Sequence, residues 1–342
     1  MNELLDKLIE TRHLLLDEWE MLISSDTDDE ELFSLAREKR DSVYGRKVFL
    51  RALIEFTSIC RNDCRYCGLR RSNRNAGRYR LTEEEILSAV DKGHDAGFRS
   101  FVLQGGEDGF FTAERMVRII KDIKQSFPDS ALTISIGELD DDSYLAMKNS
   151  GADRYLLRHE TADPVHYRIL HPEPMSLENR KRCLRSLKRF GYQTGAGMMV
   201  GSPGSSFHTL AEDMVFISEL EPEMVGIGPF IPHHDTPMKG EKTGSVELTL
   251  RMLALTRLQN PHVLLPSTTA LGTADGNGQI KGLEAGANVI MPNITPLYVR
   301  SKYLLYDNKK ISGYEAAENL EKIKSELIEA GYEPSLTRGD YI

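Results

Sequence analysis

From residue 47 onward, eight short runs rich in β-branched and aliphatic residues each precede a longer stretch with helical spacing. The runs cover residues 48–57, 100–103, 131–136, 154–158, 193–200, 224–227, 263–265 and 288–291. A strand followed by a helix returns the chain to the same edge, so this rhythm builds parallel sheet, and eight units predict an α/β fold of the (β/α)8 TIM-type barrel class. Thr82 with Glu85 three residues later is a capping-box pattern opening one intervening helix. Residues 210–220 carry apolar side chains at spacings of three and four. Residues 1–45 read as an N-terminal helical cap, with Leu4, Leu5, Leu8 and Ile9 on one face, residues 46–310 as the barrel, and 311–342 as a segment whose helix over 313–331 closes it. In such a barrel, chemistry collects at the C-terminal ends of the strands.

The net charge of −9 argues against a non-specific nucleic-acid binder, which needs a basic surface. No run of about 18 apolar residues occurs, so no membrane span is expected. The acidic, amphipathic start MNELLDKLIE is unlike a secretory signal and predicts a cytoplasmic protein.

Three of the four cysteines lie in Cys60-Arg-Asn-Asp-Cys64-Arg-Tyr66-Cys67, directly after the first predicted strand. That is a poor disulfide framework and a good metal-binding loop. Structural zinc takes four closed ligands, and a ferredoxin cluster takes four cysteines. Three cysteines on a four-iron cluster leave one iron open for chemistry. Zinc with a fourth ligand from elsewhere and chance clustering of thiols are the competing readings.

The C-x3-C-x2-C loop with Tyr66 before its last cysteine resembles the radical S-adenosylmethionine superfamily. The resemblance implies a 4Fe-4S cluster on Cys60, Cys64 and Cys67, with S-adenosylmethionine chelating the fourth iron and being cleaved reductively to a 5′-deoxyadenosyl radical. Tyr66 belongs to the implied cofactor set, and Gln104-Gly105-Gly106-Glu107 resembles the superfamily's Gly-Gly-Glu segment at the second strand end. Ser135, with Thr133 and Glu138, brings polar groups to the third. Glu160 resembles the acid that holds the adenosyl ribose, and Arg180 the arginine that pairs with the methionine carboxylate. Met199 and Met224 would line a slot for adenine. The ordinary alternatives are a strand-to-helix turn for the glycines, a surface ion pair for Glu160 and Arg180, and core filling for the methionines.

Longer segments, among them Tyr66-Cys67-Gly68-Leu69-Arg70-Arg71, residues 154–161, residues 225–232 and residues 286–293, resemble the hydrogenase maturase family HydE within the biotin synthase group of barrels. The implied role is assembly of the iron-only hydrogenase active site, on a small iron-carbonyl-cyanide-cysteine substrate. Arg154, Leu156 and Arg158 share one strand parity, so if that parity faces inward both guanidinium groups line the cavity and select an anion. Thr268, Thr269, Met291, Tyr303 and Tyr306 complete the expected substrate set. A methylornithine synthase-like lysine mutase and a non-enzymatic iron-sulfur carrier are the alternatives. No cysteine follows Cys183, which excludes the accessory C-terminal cluster of some HydE proteins and argues against a biotin-synthase mechanism; Cys183 itself reads as a buried apolar residue.

Seven arginines and one acid between Arg61 and Arg80 would form a basic collar suited to an acidic electron donor such as ferredoxin or flavodoxin. Other hydrogenase maturases are further expected partners. Arg338-Gly339-Asp340 reads as a coincidental tripeptide, and His233-His234-Asp235 as a loop.

Overall fold

The six longest strands are buried on nearly every residue, as parallel strands covered by helices on one side and a barrel interior on the other must be. The computed structural model describes residues 3–311, 313 and 316–342. Its strands are β1 (Lys47–Leu50), β2 (Ala52–Thr57), β3 (Ser100–Gly105), β4 (Ala131–Ser135), β5 (Arg154–Leu156), β6 (Gln193–Val200), β7 (Met224–Pro229), β8 (Val289–Ile290) and β9 (Glu333–Ser335). The helices are α1 (Glu3–Thr11), α2 (Leu16–Ser24), α3 (Asp29–Tyr44), α4 (Glu83–Asp95), α5 (Ala113–Ser126), α6 (Asp141–Asn149), α7 (Pro164–Leu170), α8 (Leu177–Arg189), α9 (Phe207–Leu220), α10 (Val246–Gln259), α11 (Thr269–Ala274), α12 (Gly278–Glu284), α13 (Leu297–Arg300) and α14 (Ala316–Glu329). The capping box at Thr82 and Glu85 opens α4, with bonds of 3.2 and 2.8 Å.

Strands β2 to β7 pair in parallel in chain order, and β1 pairs in parallel with β8 and β9. Single parallel bridges from β7 to Leu264 and Ser267, from Pro266 to Val289, and from Leu53 to Asn293 carry the pairing back to where it began. This is the predicted TIM-type architecture, with two departures. Of residues 263–265 only Leu264 makes a bridge, and no regular ladder forms, the Leu265 N–H being taken by the Asn288 side chain at 2.9 Å. The first run is broken at Arg51, where the chain leaves β9 as a neighbour and takes β3.

Helices α1 to α3 pack on the outer helices α9, α10 and α12. Of the predicted last helix, residues 314 and 315 lie outside the described residues, and α14 carries the rest. The unforeseen β9 then lies beside β1, and the chain turns under the barrel. There the tripeptide read as coincidental has work to do. Arg154 Nη2 donates to the carbonyls of Arg338 and Gly339 and to Asp340 Oδ1 at 2.7, 3.0 and 2.7 Å.

Burial opposes ionisation of Asp340, yet bonds from Arg338 and Gln193 and the charge of Arg154 hold its carboxyl down at about 2. Such a carboxylate stabilises the fold fully above its unfolded value near 3.8 and loses that contribution as pH falls toward 2. Asp340→Asn is therefore expected to cost about 1.5–3 kcal/mol at neutral pH, the worth of hydrogen bonds to a charged group. The gap from wild type should close between about pH 4 and 2, as read by urea unfolding. A gap independent of pH would mean that the charge is not what matters.

Candidate functional site

At the C-terminal ends of the strands lies a cavity of about 290 Å³ whose wall includes all three clustered cysteines. They sit on the loop after β2, and none is in a disulfide. Burial raises the pKa of every one of the three thiols, with Cys67 pushed up to about 12. Burial thus favours the neutral thiol at each, and binding of a metal cation by the three would go with loss of their protons.

The loop is held against β3 by close backbone approach. A Cβ on Gly106 would lie 2.2 Å from the Ile59 carbonyl oxygen and 2.8 Å from Cys60 Cβ. Gly137, at φ +87°, leaves room for Glu107, whose Cγ would lie 2.1 Å from a Cβ there. Glu107 accepts from the backbone of Glu138 at 3.2 Å and pairs with Arg61 at 3.0 Å. The glycines thus give the acid its place beside the cysteines.

Glu160 adopts the left-handed region at φ +67°, unusual for a residue with a side chain. Backbone bonds to Gly197 and from Met199, at 2.9 and 3.0 Å, hold it there. Behind it the fully buried His159 meets Asp213 at 3.1 Å and accepts from the Gly197 amide at 3.3 Å. This brace was not foreseen; the only sequence signal was His159 beside an acid at a strand end. Strain of this kind persists where the surroundings demand a particular side-chain position. The carboxylate pairs with Arg158 at 3.0 Å. Arg180, on the first turn of α8, pairs with Glu138 at 2.5 Å and donates to the Arg158 carbonyl.

Of the expected cofactor set, Tyr66, Gln104, Gly105, Gly106, Glu107, Ser135, Glu160, Arg180 and Met199 all line the cavity, and Met224 does not. Met224 begins β7 and packs with Tyr44, Phe49, Leu264 and Val289 at the opposite end of the strands. Of the expected substrate set, Arg158, Tyr303 and Tyr306 line the cavity. Arg154 has the right parity and the wrong level. It begins β5, four residues or about 13 Å below Arg158, and is consumed by Ser100, Gln193 and the Arg338–Asp340 tail. Met291 packs against the same lower cluster as Met224. Thr268 and Thr269 do not line the cavity, where their neighbour Ala270 does; the Thr268 hydroxyl oxygen accepts from the Leu271 amide at 3.3 Å and caps α11. Met175, Asn62 and Ile231 join the wall without having been foreseen.

Arg158 has a buried Nε with no hydrogen-bond partner, while its Nη2 donates to the Met198 carbonyl at 2.7 Å. Gly197 makes this possible, since a Cβ there would lie 3.0 Å from Arg158 Cγ. The cavity therefore holds a metal-binding loop, two carboxylates, and a cation with a free donor. His233 and His234 stack at 4.4 Å, and Asp307 bonds His234 at 2.6 Å, which makes the pair a loop contact outside this cavity.

Among the described residues no helix is long and apolar enough to cross a membrane. The family model described as the Radical SAM superfamily matches residues 54–217. The [FeFe] hydrogenase maturase subunit HydE of Thermotoga maritima is 49% identical over 281 residues, 82% of this chain and 80% of that protein. The 3-methylornithine synthase of Methanosarcina barkeri is 31% identical over 295 residues, 85% of this chain and 83% of that one. The crystal structure of methylornithine synthase (PylB) superposes with a TM-score of 0.84 at 29% identity, covering 97% of each chain.

Proposed function

Because this chain belongs to the radical S-adenosylmethionine superfamily and is a radical SAM enzyme, we propose that it matures the active site of an iron-only hydrogenase, as its HydE relative is named for doing. Cys60, Cys64 and Cys67 would hold a 4Fe-4S cluster, and the cradle formed by Gly106 and Gly137 beside Glu107 fits the amino-acid end of S-adenosylmethionine. When bound, the cluster supplies the electron that cleaves that molecule. Glu160 would orient the ribose, Arg180 would face the carboxylate through the network it shares with Glu138, and Tyr66 and Met199 would flank the adenine.

The observation that carries the substrate reading is the Arg158 side chain in the same wall as the cysteines. Its positive charge favours an anion, and a small anionic iron-carbonyl-cyanide-cysteine species would supply one. Tyr303 and Tyr306 bound the space on the far side. A bare iron-sulfur carrier would have no use for two carboxylates and an arginine arranged around one cavity. Partner maturases and an acidic electron donor at the arginine collar complete the reading, with a rate that falls as salt is added for the donor.

Product analysis tests the assignment. The reconstituted enzyme with reductant is expected to release 5′-deoxyadenosine and to modify the cysteine-derived iron species while leaving lysine unchanged. Conversion of lysine to 3-methylornithine would overturn it in favour of the mutase.

A further inference from the structure

An outer groove runs along the other side of the cysteine loop, between Arg65, Tyr167 and His171, and it shares one side chain with the cavity, Met175. Met175 Sδ lies 3.7 Å from Cys64 Sγ. Its place is fixed from both sides. Its amide donates to the Pro172 carbonyl at 2.9 Å, closing a turn, and the next residue, Ser176, caps α8 by accepting from the Asn179 amide at 3.3 Å. The cysteine loop is tied to the same wall, because the Arg65 amide donates to the Leu170 carbonyl at the end of α7.

Water fills the groove, along which the charged side chains of Arg65, Arg168, Glu173 and Glu178 are exposed. Between that water and Cys64 stands the thioether of Met175.

We propose that Met175 is the groove-side water seal of the cysteine-bound cluster, keeping groove water off Cys64 and the cluster hard to reduce. The inference rests on the reading of Cys60, Cys64 and Cys67 as cluster ligands. Reduction adds one negative charge to the site. Water donating hydrogen bonds to a ligating sulfur stabilises that charge, and an apolar cover withholds it.

The test compares Met175→Ala and Met175→Gln, which admit water, with Met175→Leu, which keeps an apolar cover of similar volume. Each reconstituted protein is measured for iron content, for midpoint potential by dye-mediated titration followed by electron paramagnetic resonance, and for the rate of cluster loss to a chelator. Wild type lacking iron and visible absorbance would sink the cluster reading itself, which separates that failure from failure of the seal. With the cluster present, Ala and Gln are expected to ease reduction about tenfold, a positive shift of about 59 mV for one electron, and to speed chelation several-fold. Leu should match wild type in both. If Ala does not fold, Gln against Leu decides. Equal potentials and chelation rates across the series, or a shift in Leu as large as in Gln, would overturn the proposal.

Discussion

Cys64→Ala is expected to abolish both the four-iron absorbance and the release of 5′-deoxyadenosine, while the cluster-free chain unfolds within about 1 kcal/mol of wild type. The argument is one of position. Cys64 lies on the loop between β2 and α4, outside every ladder; its sulfur contacts Met175 at 3.7 Å, and its carbonyl bond from the Cys67 amide survives substitution. Little folding energy is lost with its sulfur. The chemistry is lost whole, because two cysteines cannot hold a cluster that already uses only three. Iron analysis and product chromatography check the two halves independently. Retained cleavage of S-adenosylmethionine in this variant would refute the cluster assignment.

Lys309→Met, which breaks a buried ion pair behind the cavity wall, should cost about 3–5 kcal/mol in urea unfolding. Lys309 and Glu55 pair at 2.5 Å with side chains only 6% and 1% exposed. Each has one more partner: Lys309 donates to the Tyr303 carbonyl at 2.9 Å, and Asn293 donates to Glu55 at 2.8 Å. Removing the cation leaves the carboxylate charged and dry in the barrel wall. Adding Glu55→Gln to Lys309→Met should recover part of the loss, because no buried charge is then left unpaired. Since Lys309 also secures the segment bearing Tyr303 and Tyr306, the single variant should loosen one wall of the cavity. A cost below about 1 kcal/mol would show that the pair is solvated and weak.

The sequence made the alternation, the cysteine loop and the Gly-Gly-Glu turn legible because each is local: a period, a spacing, a dipeptide. What it hid was depth. Arg154 and Arg158 look equivalent by parity, but a barrel has levels as well as faces, and only the level at the strand's end meets the cavity. Met224 and Met291 were misplaced for the same reason. Thr268 lies off the cavity wall because it caps α11, a place its spacing after the seventh predicted strand did not reveal. Strand β9 was invisible because Glu-Pro-Ser carries no strand pattern; it exists through its pairing with β1. The brace of His159 on Asp213 joins residues 54 positions apart, beyond the reach of any motif.

Two of the buried charges of the barrel wall also bear on the order of its assembly. As the ribosome extrudes the chain, Glu55 emerges 254 residues before Lys309, and Arg154 emerges 186 residues before Asp340. Until those late partners arrive, neither early strand can be sequestered from solvent without a stranded ion. A barrel closed before translation has passed both counter-ions would bear the cost of about 3–5 kcal/mol for each uncompensated charge.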